Sequence, residues 1–360
     1  MRSLERKIAV VAGATRGAGR GIACMLGEAG ATVYCTGRSI RGKTSTKGRP
    51  ESIDETVEMV TACGGIGVPA QVDHTVQDQV RAFFDRVASE QGRLDVLVNN
   101  VNGDDLKDWK RPYWQQSLDR GLLMIERGVH SHLITSHIAI PLMLEHRGGL
   151  IVGITDLGSA GFFYSFEKSS VMRIAQLLAP ELRPHGITAV AVTPGFLRSE
   201  AMLEAFGVTE SNWRDAVKKD PYFAGSETPY FVGRAVAALA ADPKVIAKTG
   251  GVFGSWELAE EYGFTDIDGR QPHWERFIAP TLDERWAAVV KRVRSEFKKH
   301  GLDPATVVED DRASLTLRAR LSREGEPTRW LKEEVGHPAV IYGNPKRIAT
   351  ELYERYAQLR

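Results

Sequence analysis

Short apolar runs alternate with amphipathic stretches from the first residues onward. Lys7–Gly13 (KIAVVAG), Ala31–Thr36 (ATVYCT), Leu94–Asn99 (LDVLVN), Leu150–Thr155 (LIVGIT) and Thr188–Thr193 (TAVAVT) read as buried strands. Gly67–Val72 (GVPAQV) is a weaker strand, and Gly251–Ser255 a seventh. Between them, Gly19–Ala29, Glu51–Ala62, Val76–Gln91, Trp114–Glu145 and Phe163–Leu182 read as helices. In Val76–Gln91 the side chains of Val80, Phe83, Phe84 and Val87 share one helical face. Strands apolar throughout, each followed by a helix, predict an α/β fold: a doubly wound parallel sheet of about seven strands with helices on both faces. Such sheets bind ligands at the carboxyl ends of their strands.

The pattern changes near Arg276. Residues 276–360 carry 17 Lys+Arg and 13 Asp+Glu, whereas residues 1–275, more than three times as many, carry 30 and 33. This places a boundary between a domain of residues 1–275 and a charged, mainly helical extension of residues 276–360. Thr281-Leu-Asp-Glu284 has the form of a capping box at a helix start. Leu282, Trp286, Val289, Val290, Val293 and Phe297 follow on one face. Asn344-Pro345 opens a second helix, with Ile348, Leu352, Tyr356 and Leu359 as its stripe. These faces must pack on the parent domain, on each other or on another subunit. Arg38–Pro50 is basic and turn-rich and reads as a mobile loop.

Composition excludes some roles. A net charge of +1 leaves no global basic field for nucleic acid. No apolar run reaches the roughly 18–20 residues needed to span a bilayer, and the N-terminus lacks the form of a signal peptide. Cys24, Cys35 and Cys63 read as reduced thiols. A cytoplasmic protein with no nucleic-acid or membrane partner is expected.

The chemistry starts at Gly13-Ala-Thr15-Arg16-Gly17-Ala-Gly19, directly after the first strand and opening a helix. Glycines let backbone approach a pyrophosphate, and the helix N-terminus supplies free N–H groups and partial positive charge. A plain glycine-rich turn would give the same spacing, but its place between strand and helix favours the dinucleotide reading. An acid at the end of the second strand would hold the ribose 2′-OH of NAD. That strand ends Thr36-Gly37-Arg38-Ser39 instead. Arg38, with Arg16, suits a 2′-phosphate, so NADP(H) is inferred in preference to NAD(H).

Tyr164 and Lys168 stand four apart at the start of a helix, on one face. A nearby ammonium lowers the phenol pKa from about 10 toward working pH, which makes Tyr164 a general acid for reduction or a base for oxidation. The glycine loop, Asp73, Asn99-Asn100, Tyr164/Lys168 and Pro194-Gly195 follow one another in an order and spacing that resembles the short-chain dehydrogenase/reductase family. The resemblance covers about residues 5–265. Gly251–Asp268 is especially similar to the subgroup ending LAxxYGFxD, which includes the dehydrogenase/reductase member 1-like proteins. It implies a Rossmann-type fold. It also implies that Asp73 lies by the adenine, Asn99-Asn100 ends the fourth strand, and Pro194-Gly195 flanks the nicotinamide. Leu197 and Ser199 match positions on the carboxamide side, and Lys168 the ribose anchor.

The departures from that pattern bear on mechanism. Where the family has a serine that holds the substrate carbonyl oxygen, this chain has Asp156, only eight residues before Tyr164. A carboxylate there opposes tyrosinate and repels an alkoxide. Three readings stay open: a protonated Asp156 that donates a hydrogen bond, an Asp156 that turns away and leaves Thr155 or Ser159 as donor, or one that faces a cationic or imine-like substrate. Turning away, or a modified role that supports the site from behind or polarises the substrate, is preferred. Gly128 stands where the family has a helix asparagine that anchors a water beside the lysine; the space it leaves has room for a water, and the proton relay through that asparagine is lost. His130, His132 and His137 read as core or interface residues, since no pair is four apart, and no metal site is expected. Asp104, Asp105, Trp109, Tyr113, Trp114, Phe162, Phe163, Trp213 and Tyr222 lie near the expected substrate cleft, and its aromatics read equally as plain packing residues.

The sequence thus predicts an NADP(H)-dependent oxidoreductase moving hydride between nicotinamide and a carbonyl or alcohol carbon of a small molecule, with imine/amine as a variant. Tyr164, Lys168 and Asp156 are its catalytic candidates. The alternative is a non-catalytic NADP(H)-binding redox sensor or structural protein. The resemblance also implies a homo-oligomer, dimer or tetramer.

Overall fold

The computed structural model describes residues 3–46, 48–103, 111–157, 161–311, 316–321, 329–334 and 345–359. Asp104, Asp105, Trp109, Ser159 and Asn344 lie outside them. The chain forms two compact units, Met1–Trp274 and Glu275–Arg360.

In the first unit seven parallel strands form one sheet: β1 (Ile8–Ala12), β2 (Thr32–Gly37), β3 (Ile66–Gln71), β4 (Val96–Asn99), β5 (Gly149–Ile154), β6 (Ile187–Thr193) and β7 (Val252–Gly254). Their spatial order is β3-β2-β1-β4-β5-β6-β7. Direction of winding reverses between β1 and β4, and a crevice opens there at the strand ends. Strand alternation splits the core into two layers. Ala9 and Val11 of β1, with Val33, Val98, Val152 and Val190, face α1 (Gly17–Glu28) and α8 (Pro229–Ala241). Ile8 and Val10, with Leu97 and Ile151, face α3 (Gln77–Gln91) and α5 (Ser131–Glu145). The weakest predicted strand, β3, is an edge strand, where Pro69 removes no ladder donor that the sheet needs.

Caps set the helix starts. Ser52, Ser117 and Ser199 accept hydrogen bonds from Glu55 N, Arg120 N and Met202 N, opening α2 (Ile53–Ala62), α4 (Leu118–Ile125) and α7 (Glu200–Phe206). The single helix predicted over Trp114–Glu145 is therefore corrected. It starts at Leu118, and a π-helical turn, Glu126–His130, separates α4 from α5. Among the described residues, the remaining α-helices of this unit are α6 (Phe162–Leu182) and α9 (Ser255–Tyr262).

The predicted helix start at Thr281 is also corrected. Helix α10 runs unbroken over Trp274–Lys299 and contains both Pro280 and Thr281. Its first residue is fixed by ring packing: Trp274 lies 5.8 Å from both Phe196 and Tyr222, centroid to centroid. In the second unit α10 is followed by strands β8 (Val307–Asp311), β9 (Thr316–Leu321) and β10 (Arg329–Glu334), and by α11 (Pro345–Leu359). The strands form an antiparallel sheet of order β10-β9-β8, absent from the sequence reading. The apolar stripes of the two helices pack on each other: Trp286, Val289, Val290, Val293 and Phe297 are buried with Val307, Leu317, Ile348 and Tyr356.

Candidate active site

The glycine loop lies at the crevice between β1 and β4. A Cβ on Gly19 would fall on the carbonyl oxygen of Gly13, so α1 can approach the loop only through glycine. Asn100 closes the other side, its Nδ2 donating to Gly13 O at 2.9 Å. No side chain of the first turn of α1 caps its N-terminus. The donor at Gly17 N is instead taken by the Glu200 carboxylate, 2.8 Å away. A carboxylate thus sits on this N–H group, at a helix end whose partial positive charge favours anions.

Gly13, Thr15, Arg16, Arg38 and Asp73 line one cleft together with Ser39, Ser45, Thr46 and Asn100. Arg16 donates to Thr46 Oγ1 at 2.9 Å and approaches Glu51 Oε2 at 3.5 Å. The Arg38 guanidinium lies 3.8 Å from Asp73 Oδ2 and is about one-third exposed. The hydroxyls of Ser39, Ser45 and Thr46 were not singled out from sequence, although the run RSIRGKTST carries them. Asn99 is not in this cleft: its Nδ2 donates to Ser136 Oγ on α5 at 2.9 Å.

The second cluster forms where β5 ends and α6 begins. Tyr164 and Lys168, one turn apart, are both buried, and Lys168 Nζ lies 5.3 Å from the centre of the phenol ring. Asp156 does not turn away. Tyr164 Oη donates to its Oδ2 at 2.5 Å. Thr155 does not replace it as a donor toward substrate, because its hydroxyl is spent on Lys168 O at 2.7 Å, locking α6 to the strand end. Tyr113, Phe162 and Phe163 gather beside Tyr164, with ring centroids 4.2 to 5.6 Å apart. Trp213 is a packing residue, buried beneath the guanidiniums of Arg198 and Arg270.

The space beside Lys168 left open by Gly128 is filled by Glu167. Its side chain is 1% exposed, and Lys168 Nζ donates to its Oε1 at 3.0 Å. A Cβ on Gly128 would land on that carboxylate, so the glycine in the π-turn and the acid on α6 occupy one volume. A buried carboxylate is tolerable here because an ammonium is its neighbour.

Pro194 and Gly195 follow β6. Gly195 N donates to Glu227 Oε2 at 2.9 Å, and Ser255 Oγ donates to the same oxygen at 2.7 Å. Leu197 forms a bridge with Glu227 and packs on the core. Glu227 is 1% exposed, and its Oε1 has no partner among the described residues. Burial pushes its carboxyl up to about 8, against the two hydrogen bonds. The histidines divide. His132 is buried against Val101 O, and burial drops it to about 3, while His130 and His137 are exposed.

A sheet with a glycine loop at its reversal point, and a Tyr–Lys pair two strand ends away, is the layout of a dinucleotide-dependent oxidoreductase. The chain belongs to the short-chain dehydrogenase/reductase family: the family profile described as short chain dehydrogenase matches residues 7–207. It is 34% identical over 277 residues to the mouse and human proteins named dehydrogenase/reductase SDR family member 1, across 74% of this chain and 85% of each relative. A crystal structure of a short chain dehydrogenase from Mycobacterium thermoresistibile shares the fold. Its TM-score is 0.63 at 22% identity, covering 75% of this chain and 92% of that one. As a family member the chain is an oxidoreductase that uses a nicotinamide cofactor and acts on small molecules.

Proposed function

We propose that this chain is an NADP(H)-dependent oxidoreductase that transfers a hydride between the nicotinamide and a carbonyl or alcohol carbon. Convergence of Arg16 and Arg38 on one hydroxyl-lined cleft beside β2, a strand that ends without an acid for a ribose 2′-OH, carries the cofactor choice. Two planar guanidiniums match a phosphate better than a neutral hydroxyl. Gly13, Gly17 and Gly19 would cradle the pyrophosphate, Asp73 would lie toward the adenine, and Pro194, Gly195 and Leu197 toward the nicotinamide. Wild-type protein is expected to bind NADPH more tightly than NADH in a fluorescence titration. Arg38→Ala should weaken NADPH about tenfold or more and leave NADH nearly unchanged, as expected for one charge-assisted contact. Tighter NADH binding by the wild type would refute the assignment.

The bound nicotinamide supplies or accepts the hydride. In reduction Tyr164 gives its proton to the carbonyl oxygen, and in oxidation it takes the alcohol proton. Lys168 favours the anionic phenol that reduction leaves behind, and Glu167 holds that ammonium in place. Asp156 accepts from the phenol, so this site presents an acceptor where a hydroxyl donor would hold a carbonyl. That observation favours a second substrate class, an imine or amine whose N–H or positive charge Asp156 can meet.

A homo-oligomer is part of the same proposal. Leu118, Leu122, Leu133, Phe166 and Leu177 expose roughly half of their side chains on α4, α5 and α6, an apolar surface of the kind that subunits cover. Light scattering is expected to give a multiple of the 39.7 kDa chain mass. A monomer at working concentrations would exclude it. The buried free thiols of Cys24 and Cys35 fit a cytoplasmic setting.

A further inference from the structure

The N-terminus of α1 is a helix end without a local cap. Arg16 at the cap position makes no side-chain hydrogen bond to it, and the first turn holds no acid. Its orphan donor and partial positive charge are met from 183 residues away, by Glu200 at the start of α7. Glu200 reaches with both oxygens: Oε2 accepts from Gly17 N at 2.8 Å, and Oε1 lies 3.4 Å from Arg20 Nη1. The carboxylate is about 29% exposed, so water and solutes can reach it. A second tie runs from the same helix, where Glu204 pairs with Arg49, which also pairs with Glu51 beside Arg16. Two acids of one seven-residue helix therefore sit on the donors and cations that surround the glycine loop.

We infer that Glu200 is an internal competitor for the cofactor pyrophosphate, so that cofactor binding must lift Glu200 from Gly17 and thereby release α7. The inference rests on the dinucleotide reading of the glycine loop. One N–H group cannot serve a carboxylate and a phosphate at once, and two anions at one helix end repel. The apparent affinity of the cofactor is then its intrinsic affinity reduced by the fraction of molecules in which Glu200 is away. Glu200 thus sets cofactor affinity and couples it to the position of α7, which lies directly after Pro194–Ser199. Arg20 does not depend on Glu200, since its guanidinium also donates to Glu55 Oε2 at 2.6 Å and Thr56 Oγ1 at 3.2 Å.

The test is calorimetric titration of wild type, Glu200→Gln and Glu200→Ala with NADPH and, separately, with inorganic pyrophosphate. Both variants should bind both probes about three- to tenfold more tightly, the range expected for a carboxylate at a helix N-terminus. The melting temperature of the cofactor-free variants should fall, and the rise produced by saturating NADPH should exceed that of wild type. Glu204→Gln, which leaves Gly17 untouched, should shift affinity in the same direction by less, and it serves where the Glu200 variants do not fold. Unchanged or weaker NADPH and pyrophosphate binding by folded variants overturns the inference alone. A wild type that binds neither NADPH nor NADH overturns the dinucleotide reading and this inference with it.

Discussion

Tyr164→Phe should retain cofactor binding and lose turnover. The substitution keeps the ring that packs with Phe163 and Met124 and removes only the hydroxyl. Positioned proton transfer contributes about 10²–10⁴-fold to rate, so kcat should fall by that factor on every accepted carbonyl or alcohol. NADPH affinity should change by less than tenfold, because most of the cofactor's contacts would lie at the glycine loop and the arginine cleft. Turnover followed through NADPH absorbance, alongside binding by fluorescence, separates the two quantities. Wild-type rates on each accepted substrate would remove Tyr164 from the chemistry and favour a cofactor-binding role without catalysis.

The surroundings of the phenol explain why this change should matter. Its proton points at Asp156, and the ammonium of Lys168 stands over its ring. Glu167 is directed to Lys168 rather than to the phenol. The hydroxyl thus bonds the Asp156 carboxylate and lies beside the Lys168 ammonium, whose charge favours the anionic phenol.

Much of this was legible in the sequence because it is local. The seven strands are apolar runs, the glycine loop is contiguous, and Tyr164 and Lys168 are one helical turn apart. Contacts between distant segments were not legible. Glu167 and Gly128 share one volume although 39 positions separate them, and no periodicity links them. The orientation of Asp156 follows from Thr155, whose hydroxyl ties to the backbone of Lys168. The antiparallel sheet was hidden for another reason. Alternation over Thr316–Leu321 (TLRARL) was present, but the strands are short and rich in charge, and the two strongly amphipathic helices drew the expectation toward a mainly helical extension. At Thr281 the capping-box spacing misled because an acid three residues after a threonine also occurs inside helices. The start of α10 is decided upstream, by Trp274.

Glu227 should make the protein lose stability as pH rises from about 4.5 to about 8. Its folded-state carboxyl titrates at about 8, chiefly because burial disfavours the charge, against an ordinary value of 4.5. Between those values the folded state holds a proton that the unfolded state has released. Unfolding is therefore increasingly favoured with rising pH, at up to about 1.4 kcal/mol per pH unit. The contribution is fully present below pH 4.5 and gone above pH 8. His74 and His132 act in the opposite sense. Burial drops them to about 4 and about 3, so they lose stability as pH falls below their ordinary value of 6.5. A raw stability profile mixes these slopes, and comparison with Glu227→Gln separates them. The glutamine keeps an oxygen for Gly195 N and Ser255 Oγ but cannot ionise. In urea unfolding at pH 5, 6, 7 and 8, the stability of the variant relative to wild type should rise steadily with pH, by a few kcal/mol over the series. A difference independent of pH would mean that the wild-type carboxyl ionises without penalty in the folded state. The bonds to Gly195 and Ser255 would then offset its burial completely.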